Sequence, residues 1–439
     1  MQKLTNTYIH LYLPFLLVLF SGCASYSLDK AQVSLRDDFS NKNFESATAE
    51  LDRSENEEIY KEKDQVLLNL ERGMVNHFSG NYRESNQYFS EAELGIEDNF
   101  TRSISRGVQS MIVSDNSLVY GGEDYEDVYI NVFKSLNFIH QRNYEAALVE
   151  ARRITFKLEG IEARNRGLAD MFAKSDSVAE AEWKPGNRVV ENSALGHYLS
   201  AVLFAKTGQI DNSRIETERT FRAIDDQQKA FDFSSPPSKD IKKVQYGNEY
   251  NLLITGFSGR SPTKVQNDVR LFVGKYSTYV KLSLPSLKLY NSSVNRIEVV
   301  VNDSLTIPTF VIEEMDKVAA DVYNVKEPII YARSFTRSLI KATGSTLATK
   351  EAHKQSEGLG FITWLAGVIG QEISEKADLR SWQTLPGKAH VNVAKLPPGT
   401  HTLTINYYSS QNRLLYSEDQ TVDVGSSNSL SLVESLYWH

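Results

Sequence analysis

The pattern of apolar residues changes period near Ser234-Ser235-Pro236-Pro237-Ser238, and this change constrains the fold more than any other feature of the chain. Before it, apolar residues recur at helical spacing and β-branched runs are scarce; after it, short alternating runs bounded by Gly, Pro and Asn dominate. A helix returns to the same face after ~3.6 residues and a strand after roughly two, so neither pattern substitutes for the other. The expected class is multidomain, α followed by α+β. Residues 31–233 are read as the helical domain, 234–245 as a linker and 246–439 as the β-rich domain. Strands are expected at Leu252 to Thr255, Val269 to Val273, Tyr279 to Leu284, Arg296 to Val301 and Thr306 to Ile312, resuming from Ala389. A helical insertion at about 313–377 interrupts them, covering Arg333 to Ala342 and the apolar, glycine-rich run Gly358 to Gly370. That run is too short to cross a bilayer and suits a helix buried against the sheet.

The start of the chain has a different character. Lys3 and the free amine precede an apolar stretch, Leu11 to Phe20, that Pro14 interrupts, which suits a secretion signal better than a membrane span. The following Leu19-Phe20-Ser21-Gly22-Cys23 resembles the lipobox read by the lipoprotein signal peptidase. The resemblance implies that residues 1–22 are removed and that the thiol of Cys23 takes a covalent lipid, with 23–30 as a tether. Phe20 departs from the usual Leu. Ala24, rather than Asp, implies sorting to the outer membrane by the rules of Gram-negative lipoproteins. Cys23 is the one cysteine in 439 residues, so no intramolecular disulfide can form and core packing must hold the exported protein together. Loss of Lys3 moves the formal charge from −8 to about −9. An acidic chain without a basic cluster argues against nucleic acid and against electrostatic adhesion to anionic lipid.

Within the helical part, four similar turns separate helical segments: Asn43-Phe44-Glu45-Ser46-Ala47, Gly80-Asn81-Tyr82, Asn143-Tyr144-Glu145-Ala146-Ala147 and Gly208-Gln209-Ile210-Asp211. They resemble the turn inside a tetratricopeptide repeat, in which a small or polar residue ends the first helix and small residues let the backbones approach. The second copy is the fullest, with Gly73, Gly80, Tyr82, Phe89 and Ala92 in place. The spacing departs from the ~34-residue period of a regular array, so the expectation is an irregular TPR-like solenoid, with an unrelated helical bundle as the alternative. The most unusual stretch is Tyr120-Gly121-Gly122-Glu123-Asp124-Tyr125-Glu126-Asp127. Tyr120, Glu123, Asp124 and Tyr125 read either as an acidic, aromatic binding loop or as a glycine turn whose acids complement the positive end of the next helix.

Farther on, Asp378, Arg380 and Trp382 read as a recognition spot or as a helix end held by an ion pair beside a buried indole. Lys395-Leu396-Pro397-Pro398-Gly399-Thr400-His401-Thr402-Leu403 resembles the turn and strand of small β-sandwich modules of envelope proteins, so the second domain is expected to be β-sandwich-like. Together, Cys23, Tyr120 to Val132, Asn143-Tyr144-Glu145, Ala377 to Pro386 and the Leu-Pro-Pro-Gly turn resemble a family of Gram-negative outer-membrane lipoproteins with tetratricopeptide-like repeats. That family carries no assigned activity, so the resemblance implies location and architecture and transfers no catalytic residue.

Catalytic patterns are sparse. Ser27-Leu28-Asp29-Lys30, Ser114-Asp115-Asn116 and Lys206-Thr207-Gly208 reproduce in order the motifs of penicillin-binding proteins, but Ser-x-x-Lys recurs at Ser261 and Ser338 and so costs little. In those enzymes the serine sits on a buried helix and Lys-Thr-Gly on a strand, whereas Lys206 here is expected to end a helix. Metalloprotease, nucleophile-elbow and phosphate-loop motifs are missing, and the eight histidines are scattered. The expected function is a non-enzymatic envelope scaffold without cofactor beyond the lipid on Cys23. It would be anchored in the outer membrane, face the periplasm and bind a protein partner through its helices. The rivals are a serine hydrolase that reacts with penicillin and a peptidoglycan- or glycan-binding module, the latter suggested by 22 tyrosines and four tryptophans.

Overall fold

The computed structural model of the chain describes residues 27–106, 115–173, 185–273, 278–343 and 376–439. The leader, Cys23, Ser114 and the run 358–370 lie outside the described residues. Four helical hairpins come first. α1 (Leu28–Ser40) pairs with α2 (Phe44–Asn56), α3 (Gln65–Phe78) with α4 (Tyr82–Arg106), α5 (Asp124–His140) with α6 (Tyr144–Ala173), and α7 (Ala194–Lys206) with α8 (Ile210–Ala230). Each closes through one residue in the left-handed region: Lys42 (φ 58°), Gly80 (81°), Arg142 (57°) and Gly208 (78°). This conformation turns the chain back so that its N–H groups satisfy the last carbonyls of the first helix. Asn43, Asn81, Asn143 and Gln209 donate to Asp38, Asn76, Phe138 and Phe204 at 2.8 to 2.9 Å.

The hairpins also share a close contact. Ala47, Ser85, Ala147 and Ser213, each five residues past its left-handed residue, are all fully buried. Ser85 Oγ donates to the Gly73 carbonyl (2.7 Å), Ser213 Oγ to that of Ala201 (2.8 Å), and Ser135 Oγ to that of Ala147 (2.9 Å). Only small residues allow helix backbones this near, and a Cβ on Gly73 would stand 2.5 Å from the Phe89 ring.

The stretch 234–245, expected to be a linker, is packed instead. It forms α9 (Ser238–Lys242) and a 3₁₀ turn, and it buries Ile241 and Val244 completely. Its two apolar side chains sit at helical spacing after Pro237, which anchors them in the core.

The sheets follow. β1 (Leu252–Arg260) lies between β10 (Ser431–Tyr437), parallel to it, and β7 (Pro386–Ala394), antiparallel, with β6 (Phe310–Glu313) beyond β7. A second antiparallel sheet has the order β5 (Leu305–Pro308), β4 (Arg296–Val301), β8 (Gly399–Tyr408), β9 (Leu414–Val424). Among the described residues β2 (Thr263–Val273) and β3 (Thr278–Lys288) pair only with each other, and the long helix α10 (Met315–Thr343) packs on β3. The expected strand Thr306 to Ile312 is thus divided between two sheets. Pro308 has no N–H for a ladder, and the Thr309 N–H and hydroxyl both donate to the Ile297 carbonyl at 3.0 Å, making the corner.

The helices therefore lead to a sheet-rich region, and the two share a core. Successive β1 side chains point to opposite faces: Leu253 and Phe257 join the cluster containing Phe39, Phe133 and Trp382, while Leu252 and Ile254 join Val299, Ile405 and Tyr407 between the two four-stranded sheets. Phe257 stands 5.4 Å from Phe133 and 6.3 Å from Phe78, and Phe39 is 5.8 Å from Trp438. A buried charge crosses the same seam, where Glu434 of β10 accepts from His77 (2.9 Å) and His140 (3.1 Å). Burial would raise that carboxyl, but the two imidazoles outweigh it and hold it at about 2.

Because Phe133 fills the junction of helices and sheet, Phe133→Ala is expected to cost about 3–5 kcal/mol. The loss should appear equally in helical circular dichroism and in tryptophan fluorescence during urea unfolding. Two separated transitions in the wild type would contradict the shared core.

Candidate functional site

The acidic stretch Tyr120 to Asp127 forms the turn into α5. Gly122 adopts φ 72°, and a Cβ there would come within 2.8 Å of Ile96, so the position requires glycine on both counts. Glu123 is the N-cap, and Glu126 closes a capping box by accepting the Glu123 N–H at 2.9 Å. Asp124 and Asp127 fill the first turn, where the helix dipole favours negative charge. Every one of these acids has a basic or amide partner or a donor from another element. Glu123 is paired with Lys264 of β2 and Lys326 of α10. Asp124 accepts from Asn165 (2.8 Å), and Asp127 from Lys157 (2.6 Å). Burial would raise the Glu123 carboxyl, yet the ammonium groups of Lys264 and Lys326 outweigh it and hold it below the ordinary value.

The segment Asp378 to Leu385 runs against this turn. Arg380 Nε and Nη2 chelate Asp378 (2.9 and 2.8 Å), Nη1 reaches Asp64 (2.8 Å), and Nη2 also meets the carbonyls of Asp115 and Leu118 (both 3.0 Å). Its guanidinium lies 5.1 Å from the Tyr120 ring. Two helix carboxylates then read the backbone that follows. Glu126 of α5 accepts the Trp382 N–H (2.6 Å) together with the Tyr120 hydroxyl (2.7 Å). Glu71 of α3 accepts the Gln383 N–H (2.6 Å) and the Thr384 hydroxyl (2.6 Å). Burial pushes the Glu71 carboxyl up to about 7 against those hydrogen bonds. Burial and the charge of Glu123 push Glu126 up to about 7 as well, with Lys264 opposing.

Beside these contacts opens a cleft of about 200 Å³. Tyr120, Glu123, Asp124 and Asp378 line it, so four of the residues singled out from sequence share one site. Arg380 stands behind Asp378, while Tyr125 (1% exposed) and Trp382 (1%) lie in the core, the indole 5.6 Å from Phe89. An exposed acidic loop is therefore not what these residues form: Tyr120 and Glu123 are 2% and 4% exposed, because the helix dipole and the lysines draw the acids inward. Sequence reasoning missed the basic walls, Arg164, Lys264, Lys326 and Arg333, which face the acids Asp115, Glu123, Asp124 and Asp378. Lys264 shows in the sequence only as the end of a Ser-x-x-Lys match, and the others sit in ordinary polar helix surfaces. Asn165 also lines the cleft; it is 1% exposed, and among the described residues its Oδ1 has no hydrogen-bond partner.

The penicillin-binding motifs do not assemble. Ser27 and Asn116 border one shallow depression, but Lys206 Nζ is spent on the carbonyls of Gly247 (2.6 Å), Tyr250 and Ser427 (3.0 Å). Among the described residues, no group of three or more His, Cys, Asp or Glu could hold a metal ion, and no helix is long and apolar enough to cross a membrane.

Folding raises both Glu71 and Glu126 from 4.5, so their contribution to stability is fully present below pH 4.5 and is lost as the pH rises through about 7. Glu126→Gln keeps an acceptor for the Trp382 N–H but cannot ionise. The fall in unfolding free energy between pH 4.5 and 8, measured by urea titration, should shrink in the variant by on the order of 2 kcal/mol. An unchanged pH profile would mean that Glu126 is already ionised throughout.

Comparison of the chain with protein-family models, with curated proteins and with solved structures finds no match.

Proposed function

We propose that this chain is a lipid-anchored, non-enzymatic scaffold of the cell envelope, belonging with the Gram-negative lipoproteins that carry tetratricopeptide-like repeats. The observation that carries the reading is the fourfold recurrence of one hairpin design, with a left-handed turn residue at 42, 80, 142 and 208 and a buried small residue at 47, 85, 147 and 213. Repeated hairpins of this kind are tetratricopeptide-like, and such arrays serve binding more often than chemistry. The second region is read as a β-sandwich because side chains from both four-stranded sheets fill one apolar layer. Lipid on Cys23 holds the protein at the outer membrane, facing the periplasm.

The partner surface is the outer face of the hairpins. Leu94 (66% exposed) projects from α4, and Val149 (57%) and Phe156 (76%) from α6; Glu93 of α4 pairs with Arg153 (2.9 Å) and Lys157 (2.6 Å) of α6. An exposed aromatic with an exposed aliphatic about two turns away on the same helix suits a protein-binding spot. The glycan reading has less support. Among the described residues only three aromatics, Phe156, Tyr246 and Phe272, are exposed, and they are far apart in the sequence.

Two measurements test the proposal. Replacement of Cys23 by Ser should move the protein from the membrane to the soluble fraction, and mass spectrometry of the wild type should find an acylated Cys23 as first residue. A photo-cross-linker at position 156 should give one discrete protein adduct in intact cells, while Phe156→Asp changes stability by less than about 0.5 kcal/mol. An unmodified amino terminus would remove the envelope assignment, and the absence of any adduct would remove the scaffold.

A further inference from the structure

The cleft beside the α5 turn has the chemistry of a binding site for a small zwitterion. Asn165 spends its Nδ2 on Asp124 (2.8 Å) and on the Ile161 carbonyl (3.0 Å), which fixes the amide orientation and leaves Oδ1 as a buried acceptor without a donor among the described residues. An acceptor left so costs about 1–3 kcal/mol, a penalty that an incoming N–H removes. The Asp124 carboxylate next to it favours a donor that is also a cation. On another element, Lys326 donates to Glu123 at 3.2 Å, its side chain is 27% exposed, and an ammonium has further N–H groups to offer an anion. Arg164 contacts Asp124 and Asp127 only at 3.5 and 3.6 Å, longer than a strong charge-assisted bond, so it too can turn to a carboxylate. The four basic and four acidic side chains around the cleft balance, which disfavours a ligand of net charge. At about 200 Å³ the space falls below the ~300–1,000 Å³ of pockets for larger ligands.

We propose that this cleft binds a free α-amino acid or dipeptide, with the ammonium group on Asn165 Oδ1 and Asp124 and the carboxylate on Lys326. The assignment stands independently of the scaffold reading, since it depends on neither the lipid nor the outer face of α6. Calorimetric titration of the soluble mature chain with alanine and with alanyl-alanine tests it, with ethylamine and propionate as carriers of one charge each. At least one zwitterion should saturate with Kd at or below about 1 mM, and both single-charge probes should bind at least tenfold more weakly. Lys326→Gln should weaken binding at least tenfold. Gly121→Val provides a variant that spares the ion pairs: Gly121 lines the cleft and a Cβ there meets nothing nearer than Asn99 at 3.7 Å, so the larger side chain is expected to narrow the cleft with the melting temperature unchanged. Absence of binding by either zwitterion up to about 10 mM, equal binding by the single-charge probes, or undiminished binding in the folded Gly121→Val variant would each overturn the proposal.

Discussion

Arg380 is the contact on which the joining of helices to sheets depends. It sits 4% exposed, and its guanidinium is bonded to two carboxylates and to carbonyls of the segment between α4 and α5. Desolvating such a group is costly, and only a planar fork with several donors can recover the cost from partners lying in different directions. Burial would lower the guanidinium, but Asp378 and Asp64 outweigh it and raise it above its ordinary value, so the cation persists at any ordinary pH. The residues around it are fixed in consequence. Asp378 orients the fork, Asp64 begins the turn into α3, and Tyr120 covers one face of the cation.

From that point the backbone of residues 382–384 is held by carboxylates on two helices, in the way that a strand would be held by a neighbouring strand. Glu71 and Glu126 supply the acceptors that the helix surface otherwise lacks, since the carbonyls of α3 and α5 are used within each helix. Glu313, at the end of β6, works in the opposite direction: it accepts from Ser193 (2.7 Å) and from the Leu195 N–H (3.0 Å), capping α7 from the sheet. Tyr129 of α5 donates to its other oxygen at 2.8 Å. Buried acids thus stitch the second, third and fourth hairpins to the sheet-rich region.

Much of the helical architecture was legible because it is local. The αL turns at Gly80 and Gly208 follow from glycine itself, and those at Lys42 and Arg142 from the Asn that comes next in the same hairpin design. The alternation of Thr400 and Thr402 outside with Leu403 and Ile405 inside follows the pleat of β8. What sequence could not give was the partner of each charge. Glu123 meets Lys264 and Lys326, and Arg380 meets Asp64, across separations that no local pattern encodes. An acidic run therefore looked the same whether it faced water or a lysine, and only the fold decides that Glu123 is interior while Asp124 opens on the cleft. The division of Thr306 to Ile312 between two sheets was hidden for a related reason. Pro308 permits a strand edge as readily as a corner, and the Ile297 carbonyl that settles the matter comes from another strand.

The face of the helices against the segment 378–385 is filled by the protein itself. To vacate it, the segment 378–385 would have to leave, stripping Arg380, Glu71 and Glu126 of their partners inside the protein. Breaking a buried pair by removing one member costs about 3–5 kcal/mol, and several such losses reach the ~5–15 kcal/mol that separates a folded domain from its unfolded chain. The indole of Trp382 would lose its packing on Phe89 and Phe133 at the same time. A partner entering by that route would have to supply all of this before gaining any affinity. Leu94 of α4 and Phe156 of α6 carry no such cost, since both are already exposed. The seam between the helices and the segment 378–385 is in this sense closed by the chain's own groups.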